Sequence, residues 1–321
     1  MGKIEVRRAT MDDVGAISTL FQGRIARWQR INASGQVEDL PYDALTIYER
    51  WLHGGAWMSV ETASLHLSHL LCGAGLPVVA CVDGQVRAYA EFFVGDEPPP
   101  FGKHLHLAQL IVHPLHQANR RLENVLLRFT TEQGLQMDVE RITVSFSGYD
   151  AEATKYYTEY GMRLVEQVGR VAIAAQTGQG FYKVTAHANP DSAQVAGFNM
   201  TLGRTESARY HWETLWVNLW GAFPKINERH TYRLKFNVAG QDVFVVCRED
   251  LYNPRAVDLF CWSPKPLTGQ VMVAMRDWTH RQGYRTLHLN MTANALKALN
   301  LETETIPFKQ VIFAADILPE E

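Results

Sequence analysis

The fold is decided by one stretch of the sequence, Leu110-Ile-Val-His-Pro-Leu-His-Gln-Ala-Asn-Arg-Arg-Leu-Glu-Asn-Val-Leu-Leu-Arg-Phe129. It continues an alternating run from His104 to Val112, which is typical of a β-strand, and Pro114 closes that run. From Leu122 to Phe129 the apolar residues recur at helical spacing, which predicts a helix from Arg121 to Gln133, ended by Gly134. The stretch therefore indicates a strand, a short loop and a long helix.

The sequence on both sides of this stretch predicts further strands. Val78 to Val82 and Val86 to Val94 flank the pair Asp83-Gly84, and such a pair between two β-rich runs is typical of a tight hairpin. Arg141 to Phe146 predicts the strand after the long helix, and Ile4 to Ala9 predicts a strand near the amino terminus. Helices are predicted at residues 12–29, 42–52, 60–71 and 151–160. This order indicates a mixed, mainly antiparallel sheet flanked by helices.

A weaker copy of the same pattern follows a polar, turn-rich segment at residues 186–193. The matches, in order, are Val82-Asp-Gly-Gln with Val238-Ala-Gly-Gln, Val112-His-Pro with Trp262-Ser-Pro, Phe129-Thr-Thr-Glu-Gln-Gly with Trp278-Thr-His-Arg-Gln-Gly, and the strand from Arg141 with a strand from Arg285. Because the matches keep their order, the sequence predicts two tandem α/β domains of one fold, residues 1–185 and 194–321.

The composition excludes several classes of protein. With 46% hydrophobic and 20% charged residues, the 321-residue chain has the profile of a globular protein and not that of a disordered or fibrous one. Lys and Arg number 31 against 34 Asp and Glu, which leaves a formal charge of -3. Since nothing in this balance provides a broad positive field, nucleic acid is not an expected partner.

No membrane or export segment is expected. Residues 1–8 are charged and lack the apolar core of a secretory signal. The run Thr62 to Val82 has no charged residue, but its histidines, glycines and proline make it too polar and broken to span a bilayer. The four cysteines show no C-x-x-C spacing, so buried free thiols are expected. Together these features predict a cytoplasmic protein.

The first copy resembles the GNAT family of N-acetyltransferases, whose members transfer an acyl group from acyl-CoA to an amine. The resemblance covers about Ile4 to Lys183. Its motifs are Ile4-x-Val-Arg-x-Ala, Val82-Asp-Gly-Gln-Val-x-Ala-Tyr-Ala, Leu110-Ile-Val-His-Pro and Ala153-Thr-Lys-Tyr-Tyr-Thr-Glu-Tyr-Gly-Met. Tandem members of similar length exist, the mycothiol synthases among them, and the second copy here looks like a degenerate GNAT repeat.

The resemblance implies acetyl-CoA as co-substrate and two places that bind it. Pantetheine is expected to pair with the backbone of Leu110, Ile111 and Val112, and the pyrophosphate to lie at the loop that opens the long helix. Where the family has Arg or Gln followed by alternating glycines, this chain has Gln117, Ala118, Asn119, Arg120, Arg121 and Leu122. Arg120 and Leu122 add bulk there. Arg120 and Arg121 either bind phosphate in place of the glycines or are solvated charges.

The resemblance also implies a general acid, and the strands offer candidates for the base. Tyr157 stands four residues before Gly161, at the family's general-acid position, although the tyrosines of this helix could equally be packing residues. His106 and Glu91, on neighbouring strands, are the candidate bases; the alternative is that each is only a strand residue. Asp150 is expected to cap the helix.

Two further features are predicted to lack a catalytic role. The histidines between His104 and His116 have no ligand spacing, so no metal is expected. The second repeat has no glycine loop and no counterpart of Tyr157, so it is predicted to be non-catalytic. Its aromatic stripe, Trp212, Trp216 and Trp220, is expected to pack in a core.

The sequence thus predicts an acetyl-CoA-dependent N-acyltransferase that acts on a primary amine of a small molecule or peptide. A homodimer is left open. The alternatives are a GNAT-fold protein that has lost catalysis and binds a ligand or regulates, and a structural dimerisation unit. Acetyl-CoA should raise the melting temperature under the first interpretation only.

Overall fold

The computed structural model describes residues 2–118 and 120–317, so the predicted cofactor residue Asn119 lies outside the described residues. The chain forms two compact units. The smaller unit comprises Met1–Phe93, Leu107–Met137 and Leu219–Glu228, and the larger unit comprises Val94–His106, Asp138–Asn218 and Arg229–Glu321. Each unit is therefore assembled from segments that are distant in the sequence.

The smaller unit contains the first strands and helices of the chain. They are β1 (Ile4–Arg8), α1 (Val14–Gln22), β2 (Gln29–Ile31), β3 (Val37–Asp39), α2 (Ile47–Leu52), α3 (Val60–His69), β4 (Leu76–Val82), β5 (Gln85–Glu97), β6 (Gly102–Val112) and α4 (Arg121–Gln136). The strand order is β1-β4-β5-β6, and β2 pairs with β3 as a separate hairpin. The ends of β5 and β6 nearest their connecting loop belong to the larger unit.

The predicted hairpin at Asp83-Gly84 is confirmed, and the same turn recurs in the second copy. Asp83 and Gly84 have φ angles of 50° and 79°, and Ala239 and Gly240 have 50° and 77°. Two consecutive left-handed residues form the tight turn whose twist matches the flanking strands. The two sequence copies therefore agree in backbone conformation as well as in pattern.

Two helix predictions were wrong at their ends. The first helix stops at Gln22 instead of continuing to residue 29, because the chain turns back into the β2-β3 hairpin. Asn32 stabilises that hairpin turn, since its Oδ1 accepts hydrogen bonds from the N–H groups of Ser34 and Gln36. The long helix α4 runs through Gly134, which is buried, and ends at Gln136.

The larger unit contains the remaining elements. They are β7 (Arg141–Ser147), α5 (Ala151–Glu159), β8 (Arg163–Ala174), β9 (Tyr182–Ala186), β10 (Asn199–Leu202), α6 (Ala208–Leu215), β11 (Thr231–Val238), β12 (Gln241–Glu249), β13 (Ala256–Ser263), α7 (Gly269–Arg281), β14 (Thr286–Met291), α8 (Ala293–Leu299) and β15 (Glu304–Asp316). The strand order is β7-β15-β8-β14-β13-β12-β11-β9, with β10 on β13.

The strands of the two sequence copies are interlaced in the larger unit. The last strand, β15, lies antiparallel between β7 and β8, both of which belong to the first copy. In turn β8 pairs with β14, and β9 pairs with β11 of the second copy. Neither copy completes its sheet without a strand from the other. The boundary at residues 186–193 stays a prediction.

The sheet of the larger unit is packed on both faces. One face packs on α7 and α8 through Val257, Leu259 and Met275. The other packs on α6, where Trp212 and Trp216 stack with ring centroids 4.1 Å apart. The prediction of a tryptophan core is confirmed for these two, but Trp220 lies beyond the helix, in the smaller unit.

The predicted fold class is confirmed. Mainly antiparallel strands are flanked by helices, and β13 with β14 is a parallel pair. All four cysteines are free thiols, as predicted. Cys81, Cys247 and Cys261 are buried, as predicted, whereas Cys72 is exposed, so the prediction of a buried thiol was wrong for that residue.

Candidate active site

The main-chain groups at the end of β6 alternate in direction, and one side of the strand faces β5. The N–H of His113 donates to the carbonyl of Arg87 on β5 at 2.8 Å. Because the main-chain groups of alternate residues point to opposite sides, those of Leu110 and Val112 face away from β5, and those of Ile111 face it. The Gln117 side chain donates to the Val112 carbonyl at 2.9 Å and so fixes the start of the loop.

The loop into α4 keeps a left-handed turn although it lacks glycine. Arg120, which caps α4, has φ 52° and ψ 17°. Glycine adopts this conformation without cost, whereas an L-residue pays about 1 kcal/mol or more. The chain therefore preserves here the backbone shape for which glycine is the usual residue. The first N–H groups of the 16-residue helix α4 follow directly.

The side chains of the loop obstruct less than the sequence suggested. Leu122 is only 2% exposed, because it packs into the core and not on the outer side of the loop. Ala118, Arg120 and Arg121 are exposed. The expected bulk at Leu122 is therefore absent, whereas the side chain of Arg120 is on the outside, next to that of Arg121.

One acidic residue lies in the first turn of α4. Glu123 is 5% exposed, and its Oε2 has no hydrogen-bond partner among the described residues. Its Oε1 lies 3.9 Å from Arg120 Nη1. Burial raises the pKa of this carboxyl group. A proton on Glu123 removes the negative charge that would oppose a phosphate at the helix start, so the loop fits an anion best when Glu123 is neutral.

Tyr157 lies on α5 in the larger unit and is buried. Its ring stacks on Phe146 at 5.3 Å and contacts the edge of Tyr156 at 5.0 Å. Asp150 caps this helix, as predicted, by accepting the N–H of Ala153 at 2.9 Å. The aromatic stack fixes the position of the Tyr157 ring. A general-acid role stays a prediction.

His106 is buried in the larger unit with both ring nitrogens engaged. Its Nδ1 lies 2.9 Å from Thr143 Oγ1, and its Nε2 lies 2.6 Å from Glu206 Oε2. Burial, with Arg204 nearby, lowers the pKa of His106 to about 3 against the opposing charge of Glu97. A neutral ring satisfies both contacts, since it accepts the Thr143 hydroxyl and donates Nε2–H to Glu206.

A buried ion cluster surrounds His106. Arg204, 3% exposed, pairs with Glu97 and lies 3.3 Å from Glu166. Burial works to lower the pKa of Arg204, but the two carboxylates outweigh it and raise that pKa. The partner Glu206 keeps 20% of its side chain exposed, whereas His106 keeps 1%. Of this pair, Glu206 is therefore the member that solvent reaches.

Glu91 belongs to the smaller unit and has its own partners. Its carboxylate lies 3.1 Å from His66 Nε2 and accepts the hydroxyl of Tyr89 at 3.1 Å and the indole N–H of Trp57 at 3.4 Å. The structure thus places Glu91 and His106 in different units. The sequence did not identify Trp57, His66 or Glu206 as partners of these two residues.

In the second copy, the edge that corresponds to the end of β6 is covered by the chain itself. Trp262-Ser263 matches Val112-His113 in the sequence. There β13 pairs with β10, with Asn199 opposite Ser263 and Met200 opposite Trp262. A backbone edge that already pairs with a strand cannot pair with pantetheine, which agrees with the prediction that this copy is non-catalytic.

No family model and no curated protein matches the sequence. Solved structures do match. A GCN5-related N-acetyltransferase from Anabaena variabilis aligns at TM-score 0.63 and 9% identity, over 98% of this chain and 73% of that one. One from Kribbella flavida aligns at TM-score 0.55 and 10% identity, over 98% and 72%. A tandem GNAT protein from the clavulanic acid biosynthesis pathway aligns at TM-score 0.50 and 11% identity, over 99% and 100%.

These likenesses establish the fold. The chain has the GNAT fold in its tandem arrangement. Among the described residues, no helix is long and apolar enough to cross a membrane.

Proposed function

We propose that the chain is an acyl-CoA-dependent N-acyltransferase. The donor is acetyl-CoA, and the acceptor is a primary amine of a small molecule or peptide. The protein works in the cytoplasm, without nucleic acid or membrane as partner. The left-handed turn at Arg120 carries the proposal, because it preserves a phosphate-binding shape at the start of α4 although the glycines are gone.

The residues that would hold the donor are those of β6 and the loop. Leu110 and Val112 would offer main-chain groups to pantetheine, whereas those of Ile111, which was also predicted to bind it, face β5. Gln117 orders the turn. Arg120 and Arg121 supply charge-assisted hydrogen bonds for phosphates, next to the N–H groups of α4. When bound, acetyl-CoA supplies an activated acyl group as a thioester, which an amine attacks with formation of a C–N bond and loss of the thiolate.

Proton transfer is assigned to the titratable side chains described above. The ammonium form of the acceptor must lose a proton. We assign its uptake to the carboxylate of Glu206, the partly exposed member of the pair, and His106 holds that carboxylate in place by donating Nε2–H to it. Glu91, beside His66, is the alternative base. Tyr157 is the proposed donor of the proton that the departing thiolate takes up, because a phenol hydroxyl can act as a general acid.

A second candidate function is a GNAT-fold protein without catalysis, which binds a ligand or regulates. The buried acid Glu123 favours it, because an ionised carboxylate in the first turn of α4 opposes a phosphate.

The two functions differ in one assay. Purified chain is incubated with acetyl-CoA and a panel of primary amines and short peptides, and free thiol is measured together with the mass of the amine. Amine-dependent thiol release with an acetylated product supports the transferase. No thiol release with any amine, together with no thermal stabilisation by acetyl-CoA, supports the second candidate.

A further inference from the structure

A row of polar side chains crosses four neighbouring strands of the larger unit, outside the proposed active site. Arg248 on β12 is paired in register with Asp258 on β13, and Asp258 with His288 on β14. One step further, Asn290 on β14 is paired with Arg170 on β8. Arg229 joins the row from the loop before β11. We call Arg170, Arg229, Arg248, Asp258, His288 and Asn290 the arginine row.

Three arginines of the row share one carboxylate. Asp258 Oδ1 lies 2.6 Å from Arg170 Nη2, and its Oδ2 lies 3.9 Å from both Arg229 and Arg248. Asp250 is the other acid nearby, 3.6 Å from His288 Nδ1. Three guanidinium charges against two carboxylates leave the cluster positive even with His288 neutral. All of these side chains are partly buried, so water screens the excess charge poorly.

The row also holds buried polar atoms that lack hydrogen bonds. Among the described residues, Arg248 Nε, His288 Nδ1 and Asn290 Oδ1 have no hydrogen-bond partner. Burial, with Arg229 the next cause, lowers the pKa of Arg248, which shows the strain of placing this cation here. Unsatisfied buried groups are rare in folded proteins, and three in one row need a common explanation. Two of them are nitrogens that can donate to an oxygen.

A metal ion does not explain the row. Asp250, Asp258 and His288 do place ligand atoms within 4.8 Å of one another. However, Asp258 is already bound by Arg170, and two more guanidinium groups lie within 4 Å of it. A divalent cation would have to approach three fixed positive charges. The same charges favour an anion.

We propose that the arginine row binds an oxyanion, the carboxylate or phosphate group of a small-molecule ligand. Its oxygens accept from Arg248 Nε and from the protonated Nδ1 of His288, and they balance the excess guanidinium charge. The row lies on the face of the sheet away from α7 and α8, since Asp258 alternates with Val257 and Leu259, which pack on those helices.

The test is calorimetric titration of the full chain, with no acyl donor present. Inorganic phosphate and acetate are titrated separately at constant ionic strength set with sodium chloride. The proposal expects saturable binding of at least one of them, and the tighter one identifies the class of ligand. Arg248→Gln should weaken this binding about tenfold or more, the loss expected for a charge-assisted pair. Arg163→Gln, on an exposed arginine of β8, is the matched control and should leave it unchanged.

A second variant keeps the test independent of a folding defect. Asp258→Asn removes the competing carboxylate, so it should tighten anion binding, an effect that partial unfolding cannot produce. The proposal is overturned if neither anion binds saturably, if Arg248→Gln and Arg163→Gln behave alike, or if Asp258→Asn weakens binding while its melting temperature is unchanged. Binding of Zn²⁺ that is lost in His288→Ala would overturn it as well, in favour of a metal.

Discussion

Arg120 shows that an arginine can adopt the left-handed backbone conformation for which glycine is the usual residue. The alternating glycines of the family's loop are absent, yet the backbone at Arg120 is left-handed. Neighbouring contacts offset the energetic cost of this conformation. Gln117 fixes the turn before Arg120, and α4 fixes the chain after it. The Arg120 side chain is thereby placed outside, at the start of the helix.

Replacing Arg120 separates its backbone role from its charge. Arg120→Gly should raise the free energy of unfolding by about 1 kcal/mol relative to Arg120→Ala, because only glycine adopts the left-handed conformation freely. Both variants should weaken acetyl-CoA binding, as each lacks the guanidinium group. Urea unfolding measures the first effect and calorimetry the second. Arg128→Ala, on an exposed arginine of the same helix, is the control. Unaltered affinity in both Arg120 variants would remove the arginine from cofactor binding.

Tyr157→Phe tests the proposed acid. The substitution keeps the stack on Phe146, so the fold and the affinity for acetyl-CoA should not change. The turnover number should fall by about 10²-fold, the usual contribution of a positioned proton donor. Steady-state kinetics and calorimetry on the same sample separate the two quantities. Tyr156→Phe is the neighbouring control. Equal rates for Tyr157→Phe and the unmodified chain would exclude the phenol from the mechanism.

Buried histidines make stability depend on pH. Burial lowers the pKa of His106 to about 3 and lowers those of His104 and His211 as well. In the unfolded chain histidine takes up a proton near pH ~6.5, so acid favours unfolding. The free energy of unfolding should therefore be largest above this pH and fall as the pH falls from about 6.5 toward 3.

His106→Gln should flatten that dependence, by up to about 1.4 kcal/mol per pH unit. Urea unfolding at a series of pH values gives the slope. His230→Gln, on an exposed histidine, is the matched control. A slope that is the same for the two variants would mean that His106 is not held neutral.

The sequence predicted helices and strands whose contacts are close in the chain better than it predicted which distant strands pair. The Asp83-Gly84 hairpin and the strand-loop-helix of β6 and α4 followed from turn residues and periodicity, because their contacts are close in sequence. The β2-β3 hairpin was missed, since its short strands have no strong alternation and depend on the Asn32 turn. Gly134 was taken as a helix end, but a buried glycine in a packed helix is tolerated.

The candidate site was only partly predictable, for the same reason. The partner of His106 is 100 residues away, at Glu206, and no pattern near either residue indicates the pair. Glu91 acquires Trp57 and His66 only because the helical region folds over β5. The sequence could name titratable residues on strands. It could not say which other side chains the fold would bring to them.

In the whole molecule, strand pairing between the two sequence copies makes the stability of each copy depend on the other. β15 pairs with β7 over residues 310–316 and with β8 over much of its length. Because the last strand of the chain completes pairing for the first copy, the two copies should not fold as separate pieces.

Removing β15 by truncation tests whether this strand stabilises both copies. A chain ended at residue 303 leaves β7 and β8 without their common neighbour, and we expect it to be insoluble or to lose cooperative unfolding. A chain that ends at Ile317 keeps β15, and we expect it to unfold at the same temperature as the 321-residue chain. Circular dichroism during thermal unfolding distinguishes them. If the chain that ends at residue 303 unfolds cooperatively at the same melting temperature as the 321-residue chain, β15 contributes little to stability.

The most direct test of the account is the number of acetyl-CoA molecules that one chain binds. The left-handed loop at Arg120 is intact in the first copy, whereas β10 covers the corresponding edge of β13 in the second. Isothermal titration calorimetry of the full chain should therefore give a single saturable site per chain. Absence of any binding heat, or a stoichiometry of two, would contradict it.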